Sequence, residues 1–242
     1  MRVRGRKGLS QFSVARAAGL GAIPANYAGS QTMTRLAVIS VRRPTGANVH
    51  PIWRQLDVPG FLGWNLQLSA GTVQAQIGNG AALTTGGGAI VLPLGRLVTI
   101  AFVFDGATIE TYVNGAADTS TPAAVVLNAA ANAFVGMDIF PAPTLVASPC
   151  WIFDLLGSDT VAASAVQMLT AHGVIRDRIA NGQSLQGVLP GQDRTWESPD
   201  IYETFDATTG APTWVDADNG DVYSSSDGLR VAPIQISGDL MT

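Results

Sequence analysis

Hydrophobic and polar positions alternate along several short segments of the chain. Residues 64–68 and 73–77 each place every second side chain on an apolar face, and residues 36–41 form a short β-branched run. A period of two is typical of half-buried β-strands. Ala70 and Gly71 stand between the first two segments and predict a tight turn. The pattern therefore predicts antiparallel strands joined by short turns.

A hairpin over residues 97–115 is the strongest single prediction. Its first half is apolar almost throughout, and its second half alternates. Asp105-Gly106 and Asn114-Gly115 follow the two strands, and such pairs favour two-residue turns because Asp, Asn and Gly tolerate a positive φ. Turns at this spacing are typical of an antiparallel sandwich. Further strands are predicted over residues 133–139, 150–156, 201–205, 213–215 and 229–236.

One helix is predicted after these strands. Ser158 or Asp159 can cap its N-terminus, residues 161–169 form its body, and Gly173 can end it. A second short helical piece is predicted over residues 174–180. The remainder of the chain is rich in turns and acidic residues.

These elements together resemble the laminin-G-like, or concanavalin A-like, lectin and glucanase superfamily. Residues 98–115 (VTIAFVFDGATIETYVNG) are similar to its central hairpin of strand, Asp-Gly, strand and Tyr-x-Asn-Gly. Residues 63–68 are similar to its glycine-aromatic-x-Leu strand, and residues 151–173 to its closing strand and short helix. The resemblance covers about residues 32–173. It implies an all-β fold, a concanavalin A-like jelly-roll β-sandwich of two antiparallel sheets with one short helix. It implies no single activity, because the fold hosts lectins, adhesion modules, glycosidases and structural parts.

We expect three regions along the chain. They are a basic N-terminal arm (1–31), a laminin-G-like sandwich (32–180), and an acidic, turn-rich segment (181–242) that completes or extends the sandwich. With 242 residues, 47% of them hydrophobic, the chain can bury a substantial core. No apolar run approaches the length that crosses a bilayer, so membrane insertion is not expected. The single cysteine, Cys150, excludes an internal disulfide framework and lies in an apolar run, which predicts that it is buried.

Charge is distributed unevenly along the chain. Residues 1–56 contain nine basic and no acidic residues, whereas the rest contains five arginines and all eighteen acids. A basic leading segment usually contacts an acidic partner. That partner can be the acidic end of another copy or of the same copy. Nucleic acid is disfavoured because few aromatic residues accompany the basic ones. The predicted assembly arm comprises Arg2, Arg4, Arg6, Lys7 and Arg16.

The acidic residues do not form the pattern that hydrolysis of a glycan requires. A glucanase of the superfamily needs carboxylates two residues apart on one strand, so that both reach the same sugar. The chain has three glutamates, Glu110, Glu197 and Glu203, and the last two are separated by a segment that contains a proline. We therefore expect the protein not to be an enzyme.

We predict structural roles for the two histidines and for a run of three glycines. His50 precedes a proline in a turn-rich segment, and His172 is placed at a helix C-terminus, where it can favour the helix dipole. Gly86, Gly87 and Gly88 lack the lysine and the following helix of a phosphate-binding loop. They are predicted to form a flexible turn.

Two tryptophans are candidates for contact with a glycan. Among Trp53, Trp64, Trp196 and Trp214, the least regular contexts are those of Trp53 and Trp196, which predicts that these two lie on exposed loops. A tryptophan ring on an exposed loop can stack on a sugar ring, but tryptophans of sandwiches are commonly core residues. Both interpretations stay open from the sequence.

A cluster of aspartates is a candidate metal site. Asp216, Asp218 and Asp221 lie within six residues, and calcium prefers such oxygen-rich loops. The glycine of this segment is one position away from its place in an EF-hand. The alternative is therefore an ordinary solvated acidic turn, and no other cofactor is predicted.

The combined expectation is a non-catalytic structural or adhesion protein that works in many copies. Its predicted partners are other protein subunits and surface glycans. A phage or phage-like particle is the expected setting, as a capsid decoration, spike or tail-fibre component on the particle surface. Gln11 and Arg16 interrupt the apolar stretch that a cleavable signal peptide needs, so none is expected. The alternative is a secreted or cell-surface carbohydrate-binding module, located extracellularly, and a glycoside hydrolase is disfavoured.

Overall fold

The computed structural model describes the backbone of residues 7–11, 18–20, 32–41, 44–45, 49–57, 62–125, 133–135, 150–197, 201–205, 212–216, 222–224 and 229–233, and side chains within residues 32–41, 44–45, 49–55, 62–125, 150–193 and 195. These residues form seventeen strands and one helix. The strands are β1 (Lys7–Gln11), β2 (Ala18–Leu20), β3 (Met33–Val41), β4 (Val49–Asp57), β5 (Leu62–Ser69), β6 (Thr72–Asn79), β7 (Leu83–Val91), β8 (Leu97–Phe104), β9 (Thr108–Val113), β10 (Ala116–Pro122), β11 (Ala133–Val135), β12 (Cys150–Ser158), β13 (Arg194–Glu197), β14 (Ile201–Phe205), β15 (Pro212–Asp216), β16 (Val222–Ser224) and β17 (Leu229–Pro233). The helix α1 spans Ala165–Asn181.

The strands build two antiparallel sheets. The first sheet has the order β10-β9-β8-β3-β12-β1-β17, and β13 also pairs with β12. The second has the order β14-β15-β16-β2-β11-β4-β5-β6-β7. This is the all-β architecture of two antiparallel sheets with one helix that the sequence predicts.

The main core lies between the two sheets. Trp64 and Leu66 of β5 and Ile100, Phe102 and Phe104 of β8 are buried there in one hydrophobic cluster. The ring centroids of Trp64 and Phe102 are 5.8 Å apart. Burying each such side chain contributes about 1.5–3 kcal/mol. The two sheets are therefore held together by the apolar side chains that these strands direct into the core.

A second core lies on the other face of the first sheet, beneath the helix. The buried residues of α1 are Met168, Ala171, His172, Ile175 and Ile179. The hydrophobic ones pack against the helix-facing side chains of β3, β8, β9 and β12. The part of the first sheet that β3, β8, β9 and β12 form is therefore covered on both faces, by the second sheet on one side and by the helix on the other.

The helix differs from its prediction at both ends. Its N-cap is Ser164, whose hydroxyl accepts from the Gln167 backbone, while the Gln167 side chain bonds the Ser164 backbone in a capping box. The predicted caps, Ser158 and Asp159, lie before the helix. Gly173 does not end α1, because buried residues continue the apolar stripe beyond it and Gly182 forms the left-handed C-cap. The predicted second piece, residues 174–180, belongs to the same helix.

The two turns of the predicted hairpin differ from each other. Asn114 and Gly115 both have positive φ (52° and 77°), which confirms the second turn. The first loop is longer than two residues, and only Gly106 has a positive φ there. Asp105 instead accepts hydrogen bonds from the backbone nitrogens of Ala107 and Thr108, at 2.8 and 2.7 Å. These bonds, that from Ala107 most of all, lower the pKa of Asp105.

The glycine run lies in a strand and not in a flexible turn. Gly86, Gly87 and Gly88 belong to β7, which the sequence did not predict. A Cβ at Gly86 would lie 3.0 Å from Cγ2 of Ile109, and a Cβ at Gly87 would lie 2.3 Å from the Val73 carbonyl oxygen. Glycine therefore allows β7 to pack closely against its neighbours. The sequence also did not predict β1, β2, β4, β10, β13 and β16.

Both histidines have structural roles, but neither lies where it was predicted. His50 is buried within β4, and its Nε2 is 3.1 Å from the Thr45 carbonyl oxygen. His172 lies in the middle of α1 and faces the first sheet, where its Nδ1 is 3.0 Å from the Thr99 hydroxyl. The prediction of a dipole contact at the C-terminus of the helix is wrong, because the helix continues beyond Gly173.

We expect the protein to lose stability as the pH falls through the titration range of His172. Burial, and then the charge of Arg176, lower the pKa of His172 from its ordinary value of 6.5. The folded state therefore binds fewer protons than the unfolded state, and the stabilisation present above pH 6.5 is lost progressively below it. Urea denaturation of the wild type and of His172→Gln between pH 7.5 and 5 measures this. Equal pH dependence in the two proteins would contradict it.

Parts of the predicted arm and of the acidic segment are strands of the two sheets. β1 lies between β12 and β17 in the first sheet, and β2 pairs with β11 and β16 in the second. The pair β1–β17, in register from Lys7↔Pro233 to Gln11↔Leu229, brings the two ends of one copy together. Lys7 begins β1, whereas Arg2, Arg4, Arg6 and Arg16 lie outside the described residues. The assembly role of the arm stays a prediction.

Candidate functional site

The outer face of the second sheet carries a continuous set of polar side chains. On β5 and β6 the apolar residues point into the core, so the residues between them point to the opposite face. We call this set the polar ladder, and it consists of Asn65, Gln67, Gln74, Gln76 and Thr85.

Strand register arranges the ladder in two rows that cross four strands. In the first row Arg54 pairs with Asn65, Asn65 with Gln76, and Gln76 with Thr85. In the second row Pro51, Gln67, Gln74 and Gly87 follow one another in the same way. Residues opposite each other in antiparallel strands have Cβ atoms about 5 Å apart, which is within reach of amide side chains.

Hydrogen bonds join the ladder into two branches that start at Asn65. The Asn65 amide nitrogen donates to Oε1 of Gln67 at 2.5 Å and to Oε1 of Gln76 at 3.1 Å. Gln67 then donates to Oε1 of Gln74 at 3.1 Å, and Gln76 to the Thr85 hydroxyl at 3.3 Å. Both branches therefore run towards β7, and each amide is held in a fixed orientation by its neighbour.

Burial decreases along both branches. Asn65 and Gln67 are each 2% exposed, Gln74 and Gln76 are half-buried, and Thr85 is exposed. Oδ1 of Asn65 is buried without a hydrogen-bond partner among the described residues. A buried acceptor without a donor costs about 1–3 kcal/mol. This atom has too little exposed surface for a ligand to reach it. The ladder is thus rigid at its β5 end and open at its β7 end.

The open end is bordered by glycine. A Cβ at Gly88 would lie 3.9 Å from the amide nitrogen of Gln74, in ordinary contact with it. Because glycine has no Cβ, this nitrogen is left uncovered on that side. Neither hydrogen of the Gln74 nitrogen has an acceptor in the described part of the chain. The arrangement can therefore donate hydrogen bonds to a ligand that lies over β6 and β7.

The structure contradicts the predicted position of Trp53. Trp53 lies in β4, is 3% exposed, and belongs to the core between the sheets. Its ring meets that of Trp64 edge-on at 5.2 Å, and the guanidinium of Arg35 lies 5.3 Å from its centroid. The prediction of an exposed loop is wrong because a ring enclosed in this way has no face open to a sugar.

The other predicted site residues lie where side chains are not described. Trp196 is in β13, opposite Leu155 of β12. Asp216 ends β15, and Asp218 and Asp221 lie outside the described residues. The glycan contact of Trp196 and the calcium site therefore stay predictions. Within the described residues no group of three or more His, Cys, Asp or Glu side chains could hold a metal ion.

The three glutamates lie in different parts of the sandwich. Glu110 is in β9 and accepts from the Tyr112 hydroxyl at 2.5 Å. Burial, and then this hydrogen bond and the charge of Glu110, raise the pKa of Tyr112. Glu197 is in β13 of the first sheet and Glu203 in β14 of the second.

Cys150 is buried, as predicted. No helix of the described residues is long and apolar enough to cross a membrane.

The structure is similar to solved structures of lectin-like sandwiches, whereas no protein-family model and no curated protein sequence matches the chain. A protein from Bacteroides ovatus with a proposed role in carbohydrate binding matches with a TM-score of 0.63 and 13% identity, over 96% of this chain and 62% of its own. Botulinum neurotoxin type C, whose cell entry depends on two ganglioside molecules, matches with a TM-score of 0.52 and 7% identity. This match covers 71% of this chain and 47% of the neurotoxin chain. The chain thus spans less than two thirds of either protein.

A third structure is matched over its full length. The CBM40 domain of the Ruminococcus gnavus IT-sialidase, bound to α2,3-sialyllactose, matches with a TM-score of 0.51 and 13% identity, over 72% of this chain and 100% of its own. At these identities the likeness shows the fold alone. It confirms the predicted fold, a jelly-roll β-sandwich of two antiparallel sheets with one helix.

Proposed function

We propose that the protein is a non-catalytic, lectin-like domain that binds glycans on the polar ladder. The observation that carries the proposal is the hydrogen-bonded ladder itself, ordered at Asn65 and open at β7. Its amides and hydroxyl offer donors and acceptors in fixed positions, which is what recognition of sugar hydroxyls needs. Because the branches already hold the side chains in place, binding costs less side-chain entropy. The carbohydrate-binding neighbours of the fold support this proposal by analogy.

The setting that we propose is the surface of a phage or phage-like particle, with an extracellular module as the alternative. The uneven charge of the sequence supports contact with other protein subunits. In the structure β1 and β17 pair within one copy. Lys7–Gln11 and Leu229–Pro233 are therefore engaged with each other there, and the subunit contact that we propose would use other residues of the chain.

Replacing Gln76 with alanine is expected to weaken glycan binding about tenfold. The change removes the acceptor of Asn65 and the donor to Thr85, and one or two neutral hydrogen bonds correspond to roughly this factor. A glycan array with labelled protein identifies a ligand, and isothermal titration then compares the variants.

Gln186→Ala is the matched control, because Gln186 is an exposed glutamine that follows α1 and is not part of the ladder. It should bind like the wild type. The proposal is wrong if no glycan binds to the array, or if the two variants bind a glycan equally well.

A further inference from the structure

The two ends of the sandwich differ in charge and in the size of their exposed apolar side chains, and we propose that they bind each other in neighbouring copies of the chain. The near end is the one at which β8 begins, at Leu97, and the far end is the one at which β8 finishes, at Phe104. In this contact the near end of one copy packs against the far end of the next. The contact is separate from glycan binding, and it gives a surface to the subunit contact proposed above.

The near end exposes large aliphatic side chains. Val91 is 71% and Leu94 is 53% exposed. Val49, which is 43% exposed, lies in the same register row across β4 to β7 as Val91. The backbone beside Leu94 is held in place, because the Gly95 nitrogen donates to the Val41 carbonyl oxygen at 2.7 Å. Neighbouring apolar side chains in fixed positions favour burial against a partner.

The near end is also basic. The segments that meet there contain three arginines and no acidic residue. These segments are residues 39–50, 68–73, 89–99 and 112–117. Arg96 is exposed two positions after Leu94, and Arg42 and Arg43 directly follow Val41, which forms a β-bridge with Leu94. An apolar surface with this charge favours an acidic partner.

The far end is acidic. The segments that meet there contain four aspartates and two arginines, and one of the arginines, Arg35, is buried and paired with Asp159. These segments are residues 32–35, 55–62, 79–83, 104–108, 121–125, 157–161 and 191–195. Asp105 and Asp193 are exposed. The far end therefore offers carboxylates to the arginines of a near end.

Exposed apolar residues of the far end are small. They include alanines of three neighbouring loops, at positions 81, 82, 107 and 124. The third and fourth are close together, because the Ala123 nitrogen donates to the Ala107 carbonyl oxygen at 2.7 Å. Small side chains leave space on this surface for larger ones. The projecting side chains of Val91 and Leu94 can therefore be buried here while the opposite charges meet around them.

One copy cannot bring its own two ends together. β8 joins them, and its eight residues, at about 3.3 Å each, hold the ends about 26 Å apart. The contact therefore forms between copies. It joins two different surfaces, so each copy has a second end available for a further copy, and the copies form an open row or a ring.

Sedimentation of the full chain without glycan tests this inference. We expect the wild type to associate as its concentration rises, and this association to weaken about threefold or more between 50 and 500 mM NaCl, because salt screens exposed charges. The near-end variant combines Leu94→Ser with Arg96→Gln. The far-end variant combines Asp105→Asn with Asp193→Asn, which keeps an acceptor oxygen for the backbone nitrogens that these aspartates bind. Each variant should associate with itself about tenfold more weakly than the wild type.

A mixture of the two variants distinguishes this contact from a symmetric one. The far-end variant has an intact near end, and the near-end variant has an intact far end. An equimolar mixture should therefore form dimers with wild-type affinity and nothing larger. In a symmetric contact between near ends, the far-end variant would instead associate with itself as the wild type does.

Val166→Ser is the matched control. Val166 is 75% exposed on α1 and lies between the chain positions that contact Thr34 and Thr99, away from both ends. It should associate like the wild type. The inference is wrong if the wild type stays monomeric at about 0.5 mM, if the far-end variant associates normally, or if the mixture forms no dimer. The comparison of Gln76→Ala with Gln186→Ala tests glycan binding separately, so the two proposals can fail independently.

Discussion

Replacing Arg35 with alanine is expected to lower the free energy of unfolding by about 3–5 kcal/mol, the cost of removing one partner from a buried ion pair. Arg35 is fully buried on β3 and pairs with Asp159, whose side chain is 18% exposed. Its guanidinium donates to the carbonyl oxygens of Thr34 and Ser158 at 2.9 and 2.8 Å. Alanine removes the guanidinium donor from all three of these acceptors. Chemical denaturation measures the loss.

Aromatic packing adds to the effect of Arg35. The guanidinium carbon lies 4.6 Å from the Trp64 ring centroid and 5.3 Å from that of Trp53, so the cation contacts two rings of the second sheet from a strand of the first. Arg35→Met keeps part of this packing without the charge and should recover part of the loss. Arg176→Ala is the matched control, because its pair with Asp177 is exposed (48% and 68%) and should change stability by less than about 0.5 kcal/mol. A loss below about 1 kcal/mol for Arg35→Ala would show that neither the ion pair nor the contact with the two rings contributes substantially to stability.

The parts of the fold that the sequence predicts well are those whose signals are local. The apolar run of β8 and the Asn114-Gly115 turn depend on neighbours in the chain, and both are confirmed. The strand β7 depends on distant contacts, because its glycines are needed where Ile109 and the Val73 carbonyl come close. From the sequence alone a glycine run is ambiguous between a flexible turn and a closely packed strand.

Trp53 shows why one core residue was mistaken for a site residue. The register between β4 and β5 shifts between Pro51 and Trp53, so the alternation is interrupted there. Ile52 and Trp53 are consecutive, yet both are buried in the core between the sheets. This irregularity suggested a loop, although it is produced by a β-bulge inside a strand.

The polar ladder was visible in the sequence only as separate polar positions. The alternation predicted that β5 and β6 are each half-buried, with their polar residues on one face. This is confirmed for β6, where Gln74 and Gln76 are half-buried. It is wrong for β5, where Asn65 and Gln67 are each 2% exposed. The hydrogen bonding of these four amides depends on the register of β5 with β6, which pairs Asn65 with Gln76 and Gln67 with Gln74. The tight turn after Ser69 sets this register. The sequence predicts this turn at Ala70 and Gly71, and the turn is sufficient to align the four amides in two pairs.

The second large effect is expected at Gly115, where alanine should lower the free energy of unfolding by about 2–5 kcal/mol. Gly115 has φ +77°, and a left-handed conformation costs a residue with a Cβ about 1–2 kcal/mol. The new Cβ would also lie 2.8 Å from Cβ of His172, 2.9 Å from Cα of Leu169 and 3.0 Å from the Met168 carbonyl oxygen. These atoms belong to α1, and two of them are backbone, so the helix must move away from the first sheet. Overpacking of this kind adds about 1–3 kcal/mol.

Gly95→Ala separates the two contributions at Gly115. Gly95 has nearly the same φ, +73°, but a Cβ there would meet nothing within 4 Å. Its substitution should therefore cost only the conformational part, about 1–2 kcal/mol. Urea denaturation of both variants gives the difference, which measures how tightly α1 packs on the β9–β10 turn. If the two variants are equally destabilised, this contact contributes nothing to stability. If Gly115→Ala is destabilised by about 1–3 kcal/mol more than Gly95→Ala, then position 115 requires glycine because the helix leaves no space for a side chain there.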